Sequence, residues 1–100
     1  MEAGEFAFDA PLWQWTNDAT SWWFVSLPAP IADDIDHRVP RRPGFGSVRV
    51  HVTVGSSTWS TSVFPSNEAQ TYVLPVKKDV RRRERLAEGD VVRVRMTLAE

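Results

Sequence analysis

The chain contains 100 residues, of which 42% are hydrophobic and 25% are charged, and its formal net charge is −1. A chain of this length and composition is expected to fold as one soluble globular domain spanning residues 1–100. Because there is no cysteine, disulfide bonds, thiolate catalysis and most structural zinc sites are excluded. The balanced charge disfavours the strongly basic surface that is typical of nucleic-acid-binding proteins.

The sequence also indicates no membrane association. It contains no run approaching the ~18 consecutive apolar residues of a membrane-spanning helix. Residues 1–5 are acidic and lack an apolar segment, so we expect no signal peptide. We therefore expect a cytoplasmic, bacterial-type protein with no membrane partner.

The near-neutral total charge hides an asymmetry along the chain. Residues 1–36 contain seven acidic side chains and no lysine or arginine, whereas residues 77–85 contain six basic side chains against two acidic ones. Such a distribution can steer an anionic ligand toward the basic region, or can favour pairing with a second copy of the chain.

The N-terminal part of the chain predicts a β-hairpin. Aromatic and alternating residues predict strands at residues 5–16 and 22–27, joined by a polar turn. Within the first strand, Phe6 and Phe8 occupy even-numbered positions before Ala10-Pro11, whereas Trp13 and Trp15 occupy odd-numbered positions after it. Because proline cannot donate to a β-ladder, we expect the strand to switch faces at this dipeptide, at a bulge or an edge.

A short helix is predicted after the hairpin. Pro30 suits the first helical position, and apolar residues recur every four positions from Ile31 to Val39. The helix is expected to end before Pro40, and residues 41–44 are expected to form an exposed loop.

The second part of the chain predicts four more strands and a second helix. Valines alternate with polar residues over residues 48–54, which is typical of a half-buried antiparallel strand. Gly89-Asp90 opens the last strand, whose alternate residues from Val92 to Leu98 face inward. The other predicted elements are strands at residues 58–64 and 71–74, a loop at residues 65–70 and a helix between residues 76 and 87.

A similar order of features occurs in both halves of the chain. Leu27-Pro28 and Leu74-Pro75 are each followed by a predicted helix, a glycine turn at Gly46 or Gly89, and an alternating strand. The count is six to seven strands and two short helices. We therefore predict an all-β protein, a small closed β-barrel with a pseudo-twofold internal repeat, whose helices cap its ends.

Four segments of the sequence, residues 23–28, 59–65, 72–81 and 86–92, resemble one bacterial family. This is the family called domain of unknown function 1905, and the similarity extends from Phe6 to Leu98. The resemblance implies a double-split β-barrel and no assigned activity.

The second half is also similar to the swapped-hairpin motif of AbrB-type transcription factors and MazE-type antitoxins, which have a Leu-Pro, helix, Gly-Asp, strand order. In those proteins two chains build one barrel, whereas here both halves lie in one chain. The first copy departs from the pattern through Gly46-Ser47 in place of Gly-Asp and through a longer spacing. No DNA-contacting residue is carried over, because the motif is structural.

The main site prediction is an anion-binding site at the start of the second helix. A lysine near a helix N-terminus opposes the helix dipole, and a bound anion would offset that cost. Lys77 and Lys78 are the central residues, assisted by Arg49 or Arg81. The alternative is that both lysines are solvated and compensated by Asp79.

Trp22, Trp23 and Trp59 are the candidates for a ligand-binding rim beside these cations. Five tryptophans are many for a chain of this length, and exposed aromatic side chains can stack on a ligand. The alternative is that they fill the core or cover the barrel ends. Since Trp22 and Trp23 are neighbours on one strand, they cannot both be core in the same sheet layer.

No catalytic residues, metal site or cofactor are predicted. A Ser-His-Asp arrangement would need Ser60 or Ser62 near His51 together with an oriented acid. The two histidines lack clustered carboxylates, and no glycine-rich phosphate loop is present. The basic run at residues 81–85 is interpreted as the solvated face of a helix, because successive bases fan around its axis.

The sequence therefore favours a non-enzymatic binding module for a small or anionic ligand, acting as a monomer. The alternative is a nucleic-acid-binding or regulatory protein, by analogy with AbrB-type barrels. A small enzyme of unknown reaction is the second alternative.

Overall fold

Six strands and two helices form a closed β-barrel. A computed structural model of the chain describes residues 5–39 and 46–99. The elements in chain order are β1 (Glu5–Thr16), β2 (Ser21–Ser26), α1 (Ala29–Arg38), β3 (Val48–Val54), β4 (Ser57–Ser66), β5 (Thr71–Pro75), α2 (Lys78–Arg83) and β6 (Val91–Leu98). The predicted all-β class, closed barrel and two short helices are confirmed. The loop predicted at residues 41–44 lies outside the described residues.

Each strand pairs antiparallel with two neighbours, in the order β1-β2-β5-β4-β3-β6 around the barrel. Alternate residues point inward and fill the interior, mostly valines together with Leu12, Leu74 and Met96. The helices add Ile35 from α1 and Val80 from α2 to this core. Closure gives each of the six described strands two neighbours in the ring, and β1 and β4 pair with each neighbour over a different segment of their length.

Strand β1 keeps the same set of side chains inward along its length, so the predicted switch of faces at Ala10-Pro11 is wrong. The register with β6 is regular from Glu5 to Pro11, and the register with β2 is regular from Leu12 onward. The strand changes its neighbour at this point and keeps its face. The tryptophans after the buried Leu12 therefore lie on the outer surface through simple alternation.

The end of β4 also differs from the sequence-based prediction. The strand continues through Pro65 to Ser66, where the sequence predicts a loop, because Pro65 lies opposite Tyr72 in the β4–β5 ladder. A proline lacks only the N–H group and keeps its carbonyl as an acceptor. α2 occupies six residues of the interval predicted for it, and Arg85, with φ of 57°, follows its end.

The ring of neighbours is preserved when the two halves of the chain are exchanged. Each half has the order strand, strand, helix, strand, and exchanging β1, β2 and β3 with β4, β5 and β6 regenerates the same ring. Val25 and Leu74 face each other in the β2–β5 ladder, and each helix begins four residues further along, at Ala29 and Lys78. The repeat is therefore a pseudo-twofold one at the level of topology.

The turn glycines of the repeat are equivalent, but its Leu-Pro dipeptides are not. Gly46 and Gly89 each lie two residues before a strand, β3 or β6, with positive φ of 82° and 90°. Counted from the facing residues of the β2–β5 ladder, residues 27–28 correspond to residues 76–77. The dipeptide at residues 74–75 is thus displaced by two positions from its apparent counterpart.

Glu84 fastens the end of α2 to the β3–β4 turn. Its Oε2 accepts hydrogen bonds from Ser57 Oγ at 2.7 Å, Ser56 Oγ at 3.0 Å and the Ser56 backbone N–H at 3.2 Å. The Ser57 bond first, then the Ser56 bonds and the charge of Arg83, lower the pKa of Glu84, although desolvation opposes them. The turn brings Gly55 so close that a β-carbon there would overlap this carboxylate.

We predict that Gly89→Ala lowers the free energy of unfolding by about 1–2 kcal/mol, because an L-residue is strained at the φ of 90°. A β-carbon at Gly89 would contact nothing within 4 Å, so the cost comes from the backbone alone. Gly55→Ala should cost more, since it adds overlap with Glu84. Urea denaturation measures both, with Glu88→Ala as the control. Wild-type stability of Gly89→Ala would contradict the prediction.

We predict that Glu84→Gln lowers the melting temperature at pH 7 and that this difference shrinks in acid. The folded pKa of Glu84 lies below its unfolded value, so the carboxylate contributes its full stabilisation above about pH 4.3. That contribution is lost as the pH falls through the folded pKa, where wild type approaches the variant. Thermal melts between pH 7 and pH 3 measure the difference, with the exposed Glu88→Gln as the matched control. A difference that is independent of pH would contradict this role.

Candidate functional site

The outer surface of β1 and β2 carries a cluster of aromatic side chains. Trp13 faces Phe24 across the ladder, and Trp15 faces Trp22. The ring centroids of Trp13 and Phe24 are 5.1 Å apart, and Trp22 stacks on Phe24 at 6.5 Å with 13° between the ring planes. Trp22 is 51% exposed and Trp15 is 37% exposed. The strand register therefore gathers large apolar side chains on a surface that faces water.

This cluster forms a wall of an apolar groove of about 430 Å³, here called the aromatic groove. β4 and β5 supply the opposite wall. The main lining residues are Trp13, Trp15, Trp22, Phe24, Phe64 and Pro75, and Glu68 is the one carboxylate among the described lining residues. A contiguous apolar surface of this kind is typical of a ligand or partner site.

A second cleft of about 400 Å³, here called the cationic cleft, adjoins the aromatic groove at α2. The two share Trp22, Phe64 and Pro75, and together they are here called the trough. The lining of the cationic cleft is Ser21, Trp22, Trp23, Thr61, Phe64, Pro75, Val76, Lys77, Lys78 and Arg81. It thus contains three cations and, among the described residues, no carboxylate. Because α2 has only six residues, the positive charge at this end comes chiefly from these side chains.

Arg81 is held in a fixed orientation within the cationic cleft. Its guanidinium carbon lies 4.7 Å from the centroid of the Trp23 ring, and its Nη1 donates to the Val76 carbonyl at 2.7 Å. Burial lowers the pKa of Arg81, but a guanidinium keeps its charge at neutral pH. The backbone of the barrel holds two of the lining residues together, since the Val76 N–H donates to the Trp23 carbonyl at 2.8 Å.

The structure brings together five of the seven predicted site residues. Lys77, Lys78, Arg81, Trp22 and Trp23 all line the cationic cleft. Arg49 and Trp59 are not among its lining residues. Arg49 is exposed on β3 opposite Ser62, and Trp59 lies on β4 opposite Val52.

Trp59 packs against the barrel core as a partly buried residue. Its indole N–H is buried and finds no acceptor in the part of the chain that the structure describes. The core-packing interpretation therefore fits Trp59 better than a rim position does.

Sequence reasoning missed the aromatic groove as a site. Its residues Trp13, Trp15, Phe24, Phe64 and Pro75 come from β1, β2, β4 and β5. The available signal was the position of the tryptophans in β1. Trp13 and Trp15 alternate with the buried residues of the strand, which places them on its outer face. The alternation does not reveal the order of strands that brings Phe64 beside these tryptophans.

The predicted approach of a serine to His51 occurs on the outer face of β3 and β4. Ser60 Oγ lies 2.8 Å from His51 Nδ1. On the other side of His51 the ladder neighbour is Thr97, and Glu5 lies one strand further away, opposite Thr97. Glu5 and His51 line one small cavity, but among the described residues no hydrogen bond joins His51 to an acid of the kind that orients the imidazole in a Ser-His-acid triad.

The described residues contain no group of three or more histidine, aspartate or glutamate side chains placed to hold a metal ion. Neither α1 nor α2 has the length and apolar character that a bilayer-crossing helix requires.

Comparison with known proteins identifies one family. The sequence profile described as Domain of unknown function (DUF1905) matches residues 8–96. A search of curated proteins gives no match.

We predict that Arg81→Met lowers the free energy of unfolding by about 1–3 kcal/mol, because it leaves the carbonyl of the buried Val76 without its donor. Arg82→Met is the matched control on the same helix, since Arg82 is exposed and a surface change of this kind costs at most about 0.5 kcal/mol. Chemical denaturation measures both. Equal effects of the two substitutions would contradict a structural role for Arg81.

Proposed function

This chain belongs to the DUF1905 family, and we propose that it is a non-enzymatic module that binds a small amphipathic anion in the trough on the barrel surface. The anionic group is held in the cationic cleft, and the apolar body of the ligand lies toward the aromatic groove. The proposal keeps the ligand-binding role of Lys77, Lys78, Arg81, Trp22 and Trp23. It leaves Arg49 and Trp59 outside the binding surface.

The observation that carries this proposal is the juxtaposition of three cations with an exposed aromatic surface. Lys77, Lys78 and Arg81 line the same cleft as Trp22, and no described carboxylate in that lining neutralises them. Asp79 lies in the first turn of α2 but outside this lining. Bringing three cations together in a cleft that has no carboxylate in its described lining is unfavourable, and a bound anion would relieve it. The exposed face of Trp22 would gain contacts that water does not provide.

Single-stranded nucleic acid is the second candidate, because aromatic side chains beside cations also suit bases and phosphates. Two observations weigh against it. The cations lie at one end of the trough while Glu68 lines the aromatic groove, and the net charge of the chain is −1. A gel shift with poly-dT at low salt tests this candidate directly.

We further propose that the protein is a monomer and that it is located in the cytoplasm. A monomer is supported by the chain itself containing both halves of the barrel, each of which lends a strand to the other. Light scattering tests this part. A cytoplasmic location is supported by the absence of cysteine, and fractionation of cells tests it.

We expect at least one amphipathic anion to perturb the indole N–H signals of Trp22 and Trp23 more than that of Trp59 in ¹H–¹⁵N spectra. The probes are 2-naphthoate, 2-naphthyl phosphate and octanoate, each titrated separately. The double variant Lys77→Glu/Lys78→Glu should weaken binding about tenfold, from about 0.5–1 kcal/mol for each charge.

The matched control is Arg93→Glu/Arg95→Glu, which reverses two exposed charges on β6 outside the trough. It should leave the affinity close to that of wild type. If no probe moves any indole signal, or if both double variants weaken binding equally, the proposed function is wrong.

A further inference from the structure

The pseudo-twofold repeat provides an internal comparison for the cationic cleft. Counted from the facing pair Val25 and Leu74, the lining residues Ser21, Trp22, Trp23 and Arg81 correspond to Gln70, Thr71, Tyr72 and Ala32. Those four residues line a separate cleft of about 440 Å³ beside α1. The barrel therefore carries two topologically equivalent clefts, one at each helix, with different side chains.

The two clefts satisfy the same backbone carbonyl with different donors. Beside α2, the Val76 carbonyl accepts from Arg81 Nη1 at 2.7 Å. Beside α1, the equivalent carbonyl of Leu27 accepts from Thr71 Oγ1 at 2.9 Å. The position of Thr71 is occupied by Trp22 in the other half, so the guanidinium takes over the role of the hydroxyl there.

The cleft beside α1 contains a carboxylate from the chain itself. Asp36 Oδ1 accepts a hydrogen bond of 2.5 Å from the hydroxyl of Tyr72, the counterpart of Trp23. Asp36 is carried by α1, which has ten residues, whereas α2 has six. The residue that corresponds to Asp36 is Arg85, which lies beyond the end of α2 and is basic.

From this comparison we infer that the ligand of the cationic cleft is an aromatic carboxylate, whose carboxylate occupies the place that Asp36 takes in the other half. The inference rests on the proposed function and names its ligand class. A guanidinium has five N–H donors, and within the described residues Arg81 uses one of them, on Val76. The guanidinium lies over the Trp23 ring and its remaining donors form a planar fork, which matches the two oxygens of a carboxylate.

The aromatic part of the ligand follows from the residues that the cleft and the groove share. Trp22 is stacked on Phe24 and is half-exposed, so it presents ring surface at the junction of cleft and groove. Phe64 and Pro75 complete this junction. A flat ring attached to the carboxylate would lie against these surfaces, whereas a flexible alkyl chain would lose more conformational freedom on binding.

The test compares 2-naphthoate, 2-naphthyl phosphate and octanoate by isothermal titration calorimetry on the full chain. We expect 2-naphthoate to bind at least fivefold more tightly than either of the others. Trp22→Ala should weaken 2-naphthoate at least tenfold, while Val91→Ala, which truncates an exposed apolar side chain outside both the cleft and the groove, should change the affinity less than threefold.

A second pair of variants tests the guanidinium. Arg81→Lys keeps the charge but not the planar fork, so 2-naphthoate should lose at least tenfold in affinity, whereas Arg82→Lys should bind as wild type does. Because Arg81 also supports Val76, the melting temperature of each variant is measured. If Arg81→Lys does not fold, the comparison of Trp22→Ala with Val91→Ala decides the question.

The outcomes separate the inference from the proposed function. If none of the three anions binds, both fail. If the lysine reversal weakens binding, the proposed function stands, but tight binding of 2-naphthyl phosphate would show that the carboxylate is not required. Equally tight binding of octanoate would show that the aromatic ring is not required, and either result overturns the inferred ligand class. Equal effects of Trp22→Ala and Val91→Ala would also overturn the inferred position of the ring.

Discussion

The ladder between β2 and β5 is the contact on which the rest of this structure depends. It joins the two halves of the chain through Val25 and Leu74, both fully buried, and each helix begins just beyond it. The same ladder sets the floor of the cationic cleft, because its hydrogen bond from Val76 to Trp23 holds the two strands together beneath Arg81. A shift of this register by one residue would turn the core residues outward and remove the cleft in the same step.

The helix α2 shows how stability and binding share one set of side chains. Glu84 fixes its end to the β3–β4 turn, and Arg81 fixes its first turn to Trp23 and Val76. A guanidinium stacked on an indole is already oriented, so a ligand that engages it pays little additional ordering entropy. The consequence is that Arg81 serves the fold and the proposed site together, whereas the exposed Lys77 and Lys78 serve mainly the electric field of the cleft.

The strands were predictable because alternation survives into the barrel, as in residues 48–54, and because Gly89 has the positive φ that its position suggests. The grouping of Lys77 and Arg81 was predictable because both lie on one short segment. The aromatic groove was not, since it depends on β5 lying between β2 and β4, an order that no local pattern encodes. The two Leu-Pro dipeptides gave a wrong alignment of the two halves for a related reason. They match in residue type, whereas the two halves correspond through the positions of their residues in the β2–β5 ladder.

The pairing of the first strand with the last governs how this barrel is completed. Asp9 and Arg93, 84 positions apart in the chain, form an ion pair across that seam, and Phe6 and Phe8 are buried beside it. During synthesis on the ribosome, β1 emerges long before its partner, so these phenylalanines remain in contact with water or with other proteins until the final strand has been made. Such distant closure slows folding relative to local structure, and it leaves apolar surface exposed on the incomplete barrel until the seam is closed.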